Sequence, residues 1–165
     1  MESMDAVHFH LLANHVVILA VIFGIPLLLV GLVRSSNDLK TAAMLFFLLA
    51  AALVIPVHES GESSEEAVER LPGVTESLME EHEEAAKQAS CFTLLLGIGA
   101  LAGLVASRKQ AESPGGWRAW VPRALFVLAV VDAAALARTG SLGGEIRHTE
   151  IRTDASGSAP HEYKD

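Results

Sequence analysis

AVHFHLLANHVVILAVIFGIPLLLVGLV, residues 6–33, contains no Asp, Glu, Lys or Arg. At ~1.5 Å per residue, a helix of about 20 apolar residues crosses a hydrocarbon core roughly 30 Å thick, and the stretch reads as a transmembrane helix. Residues 41–57 and 89–107 are likewise free of charge. A fourth stretch, residues 120–142, is apolar apart from Arg123, Asp132 and Arg138. The reading is an all-α integral membrane protein of four spans, taken as 11–33, 41–58, 88–107 and 120–142, packed as an up-and-down four-helix bundle. With 165 residues, 51% of them hydrophobic, and a mean hydropathy of +0.38, the chain suits one domain, residues 1–152, followed by a disordered polar tail at 153–165. The leading MESMD is acidic, the first apolar run is long, and no small-residue cleavage site follows it, so that run is expected to stay in the mature protein. A single cysteine, Cys91, rules out a disulfide within the chain.

Charge sets the expected orientation. Arg34 and Lys40 lie between the first two spans, and Arg108, Lys109, Arg118 and Arg123 between the last two, which assigns these loops to the cytoplasm by the positive-inside tendency. The segment 58–87 is rich in glutamate. Both termini and this acidic segment then face outward, which for a bacterial inner membrane is the periplasm. The net charge of −8 argues against nucleic acid as a partner. SSEEAVERL reads as a helix start, and TESLMEEHEEAAKQAS as a helix capped by Thr75 that runs into the third span and carries it beyond the membrane. SRKQAESPGGW reads as a flexible connection.

This topology collects the histidines. The start of helix one, the end of helix two, the start of helix three and the end of helix four share the outer face. Counting about 20 residues outward from each inner boundary puts that surface near Asn14, Ser60, Lys87 and Gly143. His15, His58, His82 and His148 lie within roughly two turns of that level. His8 and His15, seven apart, share a helix face, with His10 on another. Glu62 and Glu66 stack four apart if the helix begins early enough, and Glu145 with His148 forms an E-x-x-H pair, a spacing used by carboxylate metal sites in helix bundles. The candidate metal ligands are therefore His8, His10, His15, Glu62, Glu66, His82, Glu145 and His148, a nitrogen and oxygen set suited to Zn, Fe, Mn or Cu. Histidines at a membrane boundary also bond simply to carbonyls or headgroups, and a glutamate run also reads as a solvated face.

HFH at 8–10, NH at 14–15, GESSEEAVE at 61–69, EEHEEAA at 80–86 and GGEIRHTEI at 143–151 occur in this order on the four spans. In these motifs the chain resembles a group of small bacterial predicted membrane proteins, a domain of unknown function that other proteins join to Rieske iron–sulfur domains. The resemblance implies functional weight for His8, His10, His15, Glu62, Glu65, Glu66, His82, Glu83, Glu145 and His148, and a redox setting. His58 lies outside its pattern.

Three functional classes follow. The first is a metal centre at the outer end of the bundle serving electron transfer with a membrane or periplasmic redox partner. Its variant is b-type haem held by two of His15, His82 and His148, although only 5% aromatic content makes the haem slot harder to wall. Without C-x-x-C-H, c-type attachment is excluded. The second class is proton or ion handling by the same histidines with Asp132, which stands about 13 Å above Arg123 with no acid between them. The third is an accessory subunit or oligomer packed through GIGALAGLVAS and AVVDAAALA. No zinc-peptidase, serine-hydrolase, Walker or Rossmann motif occurs, which leaves enzyme status open.

Overall fold

A computed structural model describes residues 2–64, 74–108 and 120–147. These form four helices, α1 (Glu2–Val33), α2 (Asn37–Glu62), α3 (Glu76–Arg108) and α4 (Val121–Arg147), with no strand among the described residues. Each is long and apolar enough to cross a membrane. The helix start expected at 63–71, most of the connection 107–117, Glu66, His148 and the tail 153–165 lie outside the described residues.

The helix ends follow local chemistry. α1 closes with a Schellman arrangement, in which the Ser35 N–H donates to Leu32 O at 3.3 Å and the Ser36 N–H to Gly31 O at 3.0 Å. Ser35 takes the left-handed conformation this requires, with φ 54°, at a position where glycine is the usual residue. Ser36 then caps α2, its hydroxyl accepting from the Leu39 N–H at 3.4 Å. Thr75 caps α3 as its position in the sequence implies, accepting from the Leu78 N–H at 3.3 Å. Pro122 falls in the first turn of α4, where no backbone donor is needed. Pro26 and Pro56 lie inside α1 and α2.

Each helix packs on two others in a closed ring, α1 on α2, α2 on α3, α3 on α4 and α4 on α1. Small residues make the seams. A side-chain carbon on Gly24 would overlap the fully buried ring of Phe47, and one on Gly97 would overlap the Cβ of Ala51. Gly103 sits 2.9 Å, measured from where its Cβ would be, from the Met44 sulfur, and Gly99 sits 2.7 Å on the same measure from Leu125 Cδ2. The small-residue face of α3 is therefore used inside the bundle, against α2 and α4.

Phe47, Leu28 and Leu96 are fully buried, yet many large apolar side chains are exposed. Ala20, Ala43, Ala50 and Ala100 are buried, while Leu12, Ile98, Leu101 and Val127 are more than half exposed. Such a surface matches contact with lipid chains, and places small residues where helices must approach closely. One polar pair lies within the seam of α3 and α4. Thr93 and Asp132 are both fully buried, and the Thr93 hydroxyl faces Asp132 Oδ1 at 2.9 Å and Ala89 O at 3.1 Å. Asp132 thus bonds to a neighbouring helix, and its other oxygen, Oδ2, is buried without a protein partner.

Gly97 tests the seam. Gly97→Val pushes two branched methyls into the α2 backbone and is expected to destabilise the folded protein by about 1–3 kcal/mol. Unfolding by graded denaturing detergent, followed by circular dichroism, measures that loss; Ile98→Val, on the exposed side of the same turn, is expected to leave the midpoint unchanged.

Candidate functional site: paired histidines at one end of the bundle

The start of α1, the end of α2, the start of α3 and the end of α4 meet at one end of the ring, and two imidazoles occupy equivalent corners of it. His10, near the start of α1, donates from Nδ1 to the carbonyl of Val57 on α2 at 2.9 Å. His82, near the start of α3, donates from Nδ1 to the carbonyl of Thr139 on α4 at 3.2 Å. In both cases a glycine stands four residues beyond the accepting carbonyl. A Cβ on Gly61 would lie 3.1 Å from His10 Cε1, and a Cβ on Gly143 would lie 3.1 Å from His82 Cε1. The device is the same twice: a ring from the beginning of one helix, a carbonyl on the last turns of the next, and a missing side chain one turn on that leaves room for the ring.

Around His10 the polar contacts extend further. Ser60 Oγ lies 3.4 Å from its Nδ1 and donates to the same Val57 carbonyl at 2.8 Å. Ser64, itself buried, donates to Ser60 O at 2.6 Å. On the same turn of α2, His58 Nε2 approaches Glu62 Oε1 at 3.5 Å. On α3, Lys87 pairs with Glu83 at 2.6 Å, and its ammonium holds the exposed Glu83 carboxyl below the usual range. Arg138 of α4 reaches Gln88 Oε1 at 3.5 Å, which brings its guanidinium to the polar start of α3.

Donation from Nδ1 has a chemical consequence. The neutral tautomer is fixed with its proton on Nδ1, which leaves the Nε2 lone pair of each ring to accept a proton or bind a metal. His82 precedes the apolar part of α3, which begins at Ala89, yet it is substantially enclosed. Burial lowers its pKa from 6.5; the bond to Thr139 opposes this in part, and the charge that His10 carries when protonated lowers it further.

The other expected residues are placed differently. His8 and His15 are exposed, and His15 Nδ1 bonds to Leu11 O on its own helix. α1 therefore turns His10 toward α2 and presents the face of His8 and His15 outward. Glu62 is exposed and Glu145 half-buried, while Glu66 and His148 lie outside the described residues. Among the described residues, no three His, Cys, Asp or Glu side chains gather into a group that could hold a metal. Sequence reasoning passed over Ser60, Gly61, Thr139 and Gly143, because a carbonyl acceptor leaves no mark on residue type.

The linkage predicts a pH effect whose sign is fixed by the direction of the shift. A histidine whose folded pKa lies below its unfolded value of 6.5 binds protons more readily when unfolded. Stability should therefore hold above that pH and fall as pH drops through and below it. Thermal unfolding in mild detergent is expected to show this loss as pH falls below about 6.5, and His82→Gln, which keeps a donor for Thr139 O but does not titrate, should flatten it.

Compared with family models, with curated proteins and with solved structures, the chain matches none.

Proposed function

We propose that this chain is a four-span up-and-down protein of a bacterial inner membrane, with both termini and the polar start of α3 on the outer side, and that its histidine end binds a transition metal in a redox or electron-transfer role. The observation that carries the reading is the paired geometry of His10 and His82. Each ring is oriented by a carbonyl through Nδ1 and keeps Nε2 for a ligand, which is how metal-binding histidines are commonly held. The loops rich in arginine and lysine at the opposite end support the orientation.

In this reading His10 and His82 supply imidazole nitrogens from opposite corners of the bundle. Glu145, on the last turn of α4, and His148, three residues on in the sequence, supply the remaining donors, with Glu62 at the end of α2 and Glu66, four residues on in the sequence, as further carboxylates. The ion would supply redox or Lewis-acid chemistry; the protein orients the rings and withholds bulk water from one side of them. His8 and His15 serve as outward-facing groups at the boundary. Haem b bound by two histidines is the alternative occupant, and it answers to the same two rings.

Elemental analysis and the absorption spectrum of gently purified full-length protein test the proposal, together with His10→Gln, His82→Gln and His148→Ala. Gln keeps a donor for the Val57 and Thr139 carbonyls but removes the imidazole. Stoichiometric metal that falls to background in these variants supports the centre; a Soret band lost in them identifies haem instead. If the wild-type protein, offered Zn, Fe, Mn, Cu and haem, retains none, His10 and His82 are clamps between helices and the proposal fails.

A further inference from the structure

The opposite end of the bundle holds a cavity that the histidine site does not use. It has a volume of about 170 Å³, more than ten times the ~10–15 Å³ that admits one water. It opens where the α1–α2 turn, the last turn of α3 and the first turn of α4 meet, and Lys40 and Arg123 line it together with the polar residues Ser35, Asn37, Thr41 and Ser107. Among the described residues, no Asp or Glu lines it. Apolar side chains line it as well, among them Met44 of α2 and Val121 of α4.

Two cations, hydroxyl and amide donors, and apolar side chains suit one ligand chemistry: a phosphate group attached to something oily. Lys offers a mobile point charge and Arg a planar fork that grips two phosphate oxygens. Trp120 lies 69% exposed beside Arg123, with the guanidinium 5.4 Å from its ring centre. An exposed indole next to a guanidinium is the usual furniture of the headgroup layer, where the ring sits among glycerol groups and the cation meets phosphate. The exposed apolar sides of the helices reach up to this level, with Val33 78% exposed at the end of α1 and Val105 51% exposed near the end of α3.

We infer that this cavity binds the phosphate of an anionic phospholipid headgroup. The lipid's acyl chains lie along the exposed helix faces while Lys40 and Arg123 grip its phosphate. Basic pockets between membrane helices recognise anionic lipids in this way. The inference rests on the four-span reading but is independent of any metal at the histidine end.

Native mass spectrometry of the full chain extracted from vesicles of phosphatidylcholine and phosphatidylglycerol tests it. The wild type is expected to keep one phosphatidylglycerol at activation energies that strip phosphatidylcholine. Retention should fall on the order of tenfold in Lys40→Gln/Arg123→Gln, and remain unchanged in Lys87→Gln at the other end. Ser107→Glu supplies a second test, placing a negative charge at an exposed position on the rim, and is expected to expel the lipid while leaving the circular dichroism spectrum intact. Equal retention of the two lipids, or undiminished phosphatidylglycerol in Ser107→Glu, overturns the inference. Thermal stabilisation by inorganic phosphate with no lipid preference would mark a soluble-ion site and overturn it as well. Failure of the chain to enter vesicles would overturn the four-span reading instead, a separate and visible result.

Discussion

How closely four almost uniformly apolar helices can approach one another governs this structure. Where the surroundings are hydrocarbon, moving a leucine from outside to inside changes its environment little, and the hydrophobic effect that assembles soluble bundles has little force between helices. Attraction must come from dispersion over short distances and from polar bonds across the seams. Gly24 against Phe47, Gly97 against Ala51, and Gly103 against Met44 provide the first. Each glycine removes the one carbon that would hold its neighbour away. Each close approach lets a large buried side chain, Phe47 or Met44, fill the seam while many other large side chains remain on the outer surface.

The polar bonds across the seams are few and fall at distinct heights. Thr93 and Asp132 join α3 to α4 deep in the apolar region, where an unpaired polar group is costly. His10 joins α1 to α2 and His82 joins α3 to α4 at the histidine end, each by a bond to a carbonyl already engaged in its helix. A carbonyl has a second lone pair, so at Thr139 the imidazole adds a bond without breaking one, while at Val57 it shares the oxygen with the Ser60 hydroxyl. The same bond that ties two helices together also fixes the tautomer and the direction of Nε2. Structural clamping and ligand binding thus make the same demand on these rings, which is why metal retention and haem absorbance separate the readings better than stability does.

The two ends of the bundle differ in chemistry because they differ in charge. One end joins imidazoles to glutamates, a set able to take protons or transition metals. The other joins lysine and arginine around a cavity, a set suited to anions. Between them runs a region in which the described polar side chains turn toward helix carbonyls and one another. A molecule built in this way presents unlike faces at its two ends whichever way it is inserted.

Helix number, type and approximate extent were legible from residue type alone, since long uncharged runs admit little else and Thr75 marks the beginning of α3 by local chemistry. That histidine-bearing helix ends share one end was legible too, because it needs only helix length and alternation of direction. Rotation of each helix about its axis was not. α1 is apolar on every side, so hydropathy carries no signal for which of His8, His10 and His15 meets α2; Gly24 fitting over Phe47 sets that phase, and it turns His10 inward. The partner of Asp132 lies 39 residues away on another helix, and the partners of His10 and His82 are backbone carbonyls. By itself the sequence determined that there are four apolar helices and at which end their chemistry collects. Only the tertiary structure decided which side chains face each other, because in a chain of such even polarity that choice is made by the shapes of the touching surfaces.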